Sequence, residues 1–439
     1  MKQDLTSGNV TLTIFKFAVP MILGNILQQC YNLADTWIVG KFVGADALAA
    51  VGSAYTLMTF LTSLIIGMCM GGGALFSISY GRKDFQILKE YIVSAFMLIL
   101  GITVLLTVVV YAWLDPILHL MQTPDDVYPL MYSYTKIVFA GLGFIFLYNY
   151  FAFLLRSAGN SVVPLWFLAL STVLNIVLDY VFVAILHRGV EGAAEATVIA
   201  QLAAGVGIAA YSFWKEPSLH FEKGALKFRA CRIREIFSYS ISTGIQQSVM
   251  NFGILMIQGL VNSFGMATMA AFAAGVKIDT LAYMPAQEFG NAYSIFVSQN
   301  YGAGKSDRIR TGTKSAVTFV LVFCIAVSAA VFVFAGNLMG IFIAPEEIEI
   351  LAIGSSYLRI EGACYCGIGI LFLLYAYFRA VGKPQISLLL TVISLGTRVL
   401  LSYAFAPGWG AVVIWWSIPI GWVLADLTGA AIALRRKKQ

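Results

Sequence analysis

Two carboxylates stand where the surrounding residues are apolar enough for a membrane interior. Asp35 lies within Pro20-Met-Ile-Leu-Gly-Asn-Ile-Leu-Gln-Gln-Cys-Tyr-Asn-Leu-Ala-Asp-Thr-Trp-Ile-Val-Gly40, and Asp179 lies within an apolar run near 164–185. An Asp at the centre of a membrane helix costs on the order of 3 kcal/mol, so it normally faces a cavity or a partner rather than lipid. Asn25, Gln28, Asn32 and Asp35 advance by three or four residues and so share one helical stripe; Thr172, Asn175 and Asp179 repeat that pattern. Thr197 and Gln201, four apart, offer a third polar face. If the helices carrying the two Asp residues pack together, carboxylates about 4 Å apart in an effective dielectric near 20 repel by about 4 kcal/mol. Such a pair would share a proton or hold a small cation such as Na+.

Other polar residues in apolar runs are weaker candidates. Gln246, Gln247 and Arg398 are assigned to a cavity, with Gln28, Asn32, Asn25 and Thr172. Asp279 and Glu288 flank Pro285, and Glu361 and Asp426 appear in later runs. These acids are expected to neutralise Lys277, Arg359 or Arg398 rather than to touch a substrate. Pro20 and Pro285 each remove a backbone donor from a helix and are expected to serve as hinges. Gly67-Met-Cys-Met-Gly71 has the small-xxx-small spacing of close helix packing. The six cysteines lack metal-site spacing and read as packing residues; the three histidines are not near them. No phosphate-binding glycine loop followed by Lys and no zinc-type His-Glu pair occurs, so neither an enzyme nor an ATP-driven pump is expected.

The elements that hold these residues follow from composition. With 439 residues, 59% hydrophobic and only 11% charged, the chain reads as an all-α polytopic membrane protein. About twelve apolar runs of roughly 20 to 30 residues suit helices crossing a hydrocarbon core of about 30 Å. Basic residues collect in the even-numbered connections and at both ends, while the odd-numbered connections hold only Lys41 and Arg188 and gather the acids; by the positive-inside rule both termini are cytoplasmic. That distribution also accounts for the net charge of +6 without nucleic acid. The first dozen residues are mostly polar, with no small-residue cleavage site, so an uncleaved first helix is expected.

The halves resemble each other. Gly44-Ala-Asp-Ala-Leu-Ala-Ala50 matches Gly265-Met-Ala-Thr-Met-Ala-Ala271, Tyr80-Gly81 matches Tyr301-Gly302, Gln28-Gln29 matches Gln246-Gln247, and Arg156-Ser-Ala-Gly159 matches Arg379-Ala-Val-Gly382. The near-constant offset predicts a duplicated six-helix unit. Because six is even, the copies are parallel repeats. The division is a lobe over 1–214, a basic cytoplasmic linker over 215–234 and a lobe over 235–439. The positions matching Asp35, Asp179 and Asn175 are Gly253, Ser402 and Arg398, so ionisable switching is expected in the first lobe.

At these residues the chain resembles the multidrug and toxic compound extrusion (MATE) family over essentially its full length. The motifs are Gln28 through Gly40, Gly44 through Gly52, Arg156-Ser-Ala-Gly159 with Asn175-Ile-Val-Leu-Asp179, and Gln299-Asn-Tyr-Gly-Ala-Gly-Lys305. The resemblance implies twelve helices in two bundles and export driven by inward H+ or Na+. In the DinF-like branch the positions matching Asp35, Asn175, Asp179 and Thr197 form a polar network, with that of Gln28 close by. The NorM-like branch uses carboxylates in helices 7 and 10, where this chain has Gln246-Gln247-Ser248 and a stretch around Ile368; that departure favours coupling in the first lobe. The expectation is a monomeric antiporter in a bacterial-type inner membrane, exporting cationic or amphipathic organic compounds, with no cofactor beyond the coupling ion. A lipid-linked oligosaccharide flippase is the alternative; it should present several basic cavity residues for pyrophosphate, and Arg398 alone supports it.

Overall fold

The structure is a computed structural model that describes residues 3–121, 123–216 and 230–436. In the membrane interior every backbone polar group needs an internal partner, so long apolar runs become helices; among the described residues there are no strands. In chain order the first repeat comprises α1 (Val10–Phe42), α2 (Ala45–Arg82), α3 (Phe85–Ala112), the short α4 (Leu114–Leu120), α5 (Tyr128–Ala140), α6 (Leu142–Ser157), α7 (Val162–Asp179) with a π-helical turn at Tyr180–Ile185, and α8 (Gly189–Lys215). The second comprises α9 (Ala230–Asn262), α10 (Met266–Gly302), α11 (Ser306–Met339), α12 (Ile348–Gly362), α13 (Tyr365–Ala380), α14 (Pro384–Trp409) and α15 (Val412–Arg436).

Eight of these elements are individually long and apolar enough to cross a membrane. Two bent pairs, α5 with α6 at 43° and α12 with α13 at 51°, each make one more. The remaining long helices, α9 and α10, have 33 and 37 residues but are more polar, and with them the set reaches twelve. The fold class is therefore the expected one. The breaks do not fall at the prolines singled out from the sequence: α1 and α10 run unbroken through Pro20 and Pro285.

The duplication is written into the backbone. Gly44 and Gly265 take φ of 122° and 96° at the starts of α2 and α10, and Gly159 and Gly382 take 85° and 84° after α6 and α13. An L side chain rarely adopts these conformations, which explains why glycine stands at both copies. Lys83 and Gly304, at the same repeat position, are left-handed as well.

By packing, the chain forms two compact units: residues 1–5 with 19–244, and residues 6–18 with 245–439. Each repeat thus lends the beginning of its first helix to the other unit, so the packing boundary lies inside α1 and α9. Of the linker, 217–229 lies outside the described residues, and 230–234 already belongs to α9. In the first unit an aromatic core joins Phe96, Phe146, Tyr150 and Phe151, and the Tyr150 hydroxyl donates to the Ile92 carbonyl at 2.6 Å. Gly71 lets α2 approach α9 so closely that a Cβ there would lie 2.4 Å from the Tyr239 carbonyl oxygen. In the second unit Phe272 stacks on Trp415, against which Tyr357 packs edge-on.

Candidate functional site

The polar stripe of α7 is buried while the opposite face is not. Thr172, Asn175 and Asp179 are buried, Asp179 completely, whereas Val173 and Val177 are 61% and 53% exposed. A helix with this division turns its apolar side to lipid and its polar side inward. On α1, Asp35 is also buried. Asp35 and Asp179 lie within electrostatic reach of each other and of two tyrosines, Tyr31 of α1 and Tyr134 of α5. Thr197 of α8 ties the group together: its Oγ1 lies 3.2 Å from the Tyr31 hydroxyl and accepts from Asn175 Nδ2 at 3.5 Å.

What remains is an excess of acceptors. Asp35 Oδ1, both Asp179 carboxylate oxygens and Asn175 Oδ1 are buried without a hydrogen bond of good geometry among the described residues, and the nearest donor to Asp179 is the Asn175 side chain. Buried polar atoms are nearly always satisfied, so four orphan acceptors in one cluster call for something electropositive. Among the described residues Tyr31, Asn175 and Thr197 supply donors to the cluster, and no Lys or Arg is recorded against either carboxylate. The π-helical turn begins immediately after Asp179, with Leu186 N donating to Val181 O at 2.9 Å. Such turns insert an extra residue into a helix and mark a local departure from its regular period.

The four coupling candidates from the sequence, Asp35, Asn175, Asp179 and Thr197, are therefore brought together, with Thr172 buried on the same stripe. The remaining α1 residues are spread more widely. Gln28 is exposed, Asn25 accepts from Gln29 Nε2 at 3.5 Å, and Asn32 Nδ2 donates to Tyr55 at 3.2 Å. Sequence reasoning did not single out Tyr31 or Tyr134. Tyr31 stands four residues before Asp35 and was findable by the same helical spacing; Tyr134 had no such signal.

The second unit is built differently. Ser402, at the position matching Asp179, bonds Ser417 at 2.9 Å, and Gly253, matching Asp35, is covered by Leu395. Gln246 is buried with Oε1 unpartnered, and Gln247 is half-buried. Arg398 is buried within electrostatic reach of Asp279 and Glu361, and the Tyr365 hydroxyl donates to Asp279 Oδ1. Pro285 lies on α10 between Asp279 and Glu288.

The family profile named MatE matches the chain twice, over residues 20–181 and 242–404. The chain belongs to the MatE family. The two matched stretches of this MatE chain are its two repeats, and the family is one of membrane transporters. Among relatives, the probable multidrug resistance protein YpnP of Bacillus subtilis (strain 168) is 30% identical over 400 residues, 89% of this chain and 87% of the relative. The probable multidrug resistance protein YoeA of the same organism is 29% identical over 353 residues, 79% of this chain and 76% of the relative. A solved structure described as the outward-facing conformation of a multidrug resistance MATE family transporter of the MOP superfamily superposes with a TM-score of 0.92 at 23% identity, covering 98% of this chain and 97% of the other. At that identity the likeness concerns the fold.

Proposed function

We propose that this MatE chain is a secondary antiporter that exports cationic or amphipathic organic compounds in exchange for H+ or Na+. Asp35 and Asp179 are the coupling pair, and Asn175 and Thr197 hold them in place. The observation that carries this reading is the set of four buried acceptor oxygens without a well-formed hydrogen bond among the described residues. A proton on a carboxylate, or one Na+ among the oxygens, satisfies acceptors that otherwise remain unpaired and removes the repulsion between the two acids. Relatives named for multidrug resistance support export of organic compounds. Polar groups on α1, the exposed Gln28 and the half-buried Asn32 and Asn25, are suited to line the substrate cavity.

The exchange follows from competition. A ligand shifts a two-state equilibrium only by its differential affinity for the two states. The inward-moving ion occupies the acid pair and favours the state with low substrate affinity; a cationic substrate is held better when the pair is vacant and negative. Access alternates between the two sides of the membrane, and α1 is suited to transmit the change because it passes from one packing unit to the other between Ala18 and Val19, beside Pro20. The protein works as a monomer in a bacterial-type inner membrane with both termini cytoplasmic. Arg398, beside two carboxylates, adds little positive charge to a cavity, and this weighs against the flippase alternative. In proteoliposomes, uptake of an organic cation under a pH gradient or a Na+ gradient, applied separately, tests the proposal: one gradient should drive transport, and dependence on neither would refute it.

A further inference from the structure

A groove of about 590 Å3 opens on the first unit between α5 and α8, roofed by Tyr111 at the end of α3. Its volume falls in the range of small-molecule sites. Both helices begin at the same end of the groove, and its wall changes character along them. Over the first two turns it presents Tyr132 and Lys136 from α5 and Glu191 and Glu195 from α8; beyond them it is walled by Ile199 and Ala140. The site is thus polar where the helices start and apolar further along, with Tyr111 and Tyr132 among its lining. Tyr111 also pins the wall, its hydroxyl donating to the Lys136 carbonyl at 2.5 Å.

The charges inside the groove are not equivalent. Glu195 is clamped by Arg188, with contacts of 2.5 and 2.7 Å, and that pair is neutral. Lys136 and Glu191 are exposed in the groove, and neither side chain has a hydrogen bond or ion pair among the described residues. Two opposite charges in one groove, each left free, complement a ligand that carries both signs. An anion alone would leave Glu191 unmatched, and a cation alone would leave Lys136 unmatched.

We infer that this groove binds a membrane phospholipid whose headgroup carries a phosphodiester and a primary ammonium, that is, a phosphatidylethanolamine. Lys136 donates to the phosphate, Glu191 accepts from the ammonium, and the acyl chains follow the Ile199 and Ala140 wall toward the bilayer interior. A choline headgroup has no N–H to give Glu191, and a glycerol headgroup has no cation. This inference does not depend on the antiport reading. Tyr134 and Thr197 of the carboxylate cluster stand on the same two helices, outside the groove's lining.

Native mass spectrometry of the purified full chain, given equal amounts of phosphatidylethanolamine, phosphatidylcholine and phosphatidylglycerol with matched acyl chains, tests it. The ethanolamine lipid should be retained above the other two. Lys136→Gln and Glu191→Gln should each lower its retention about tenfold, the worth of one charge-assisted contact, with melting temperature in detergent unchanged. Equal retention of the three lipids, preference for the glycerol lipid, or wild-type retention by both variants would overturn the inference.

Discussion

Thr197 holds an unusual share of the proposed site, since one hydroxyl contacts both Tyr31 and Asn175. Thr197→Val keeps the shape of the side chain and removes both contacts, leaving Asn175 only its contact with Asp179. A lost hydrogen bond that orphans a buried group costs about 1–3 kcal/mol. We therefore expect the coupling-ion concentration for half-maximal transport to rise about tenfold, with expression and melting temperature close to wild type. Unchanged ion dependence would remove Thr197 from the site. The contrast in legibility at this scale has a physical cause. Asp35, Asn175 and Asp179 were readable because an ionisable or amide group in an apolar run is costly and must have a reason. Tyr134 was not, because tyrosines are ordinary content of membrane helices and its placement depends on how α5 packs against α1 and α8. Asn25 and Asn32 share Asp35's stripe, and there Gln29 and Tyr55 are among their partners.

At the scale of elements, the close approach of α2 to α9 depends on Gly71. A Cβ there would meet backbone, at 2.4 Å from the Tyr239 carbonyl oxygen, and backbone cannot rotate away as a side chain can. Gly71→Val should destabilise the first unit by about 1–3 kcal/mol, seen as a lower melting temperature in detergent; a wild-type value would mean that the two helices separate without penalty. Pro20 makes the opposite prediction. Replacing it by Ala restores a helical donor and removes a ring clash, a gain of up to about 3 kcal/mol in a regular helix. If Pro20 is the hinge, Pro20→Ala keeps or raises thermal stability while slowing transport, and wild-type turnover would exclude that role. The small-residue spacing, the helix count and the repeated glycines were legible because each follows from local sterics or from length. The 43° and 51° bends and the π-helical turn after Asp179 were not. They carry no proline, and the glycines at the two bends, Gly141 and Gly362, do not stand out among the chain's 40 glycines.

For the whole molecule, charge distribution predicts both termini in the cytoplasm. Cys231, exposed at the start of α9, reports on this directly. With the other five cysteines replaced, a membrane-impermeant thiol reagent should label Cys231 only after the cells are permeabilised; labelling of intact cells would invert the topology. The parallel repeat was legible from matched motifs and reappears as matched glycine conformations and as a twofold family match. The exchange of helix beginnings between the packing units was not, because a repeat boundary in sequence says nothing about which neighbours a helix meets along its length. The asymmetry between the repeats bears on function: the second unit also buries an acid pair with unpartnered oxygens, Asp279 and Glu361, but there Arg398 is in reach, whereas no Lys or Arg is recorded against Asp35 and Asp179 among the described residues, and the second-unit positions matching those two are closed by Leu395 and by a serine pair. The most direct test of that assignment compares wild type with Asp35→Asn and Asp179→Asn in proteoliposomes, measuring organic-cation flux driven by an imposed pH or Na+ gradient alongside substrate binding. The account predicts that each variant folds, retains measurable substrate binding and loses gradient-driven flux; gradient-driven transport at the wild-type rate by either variant would contradict it.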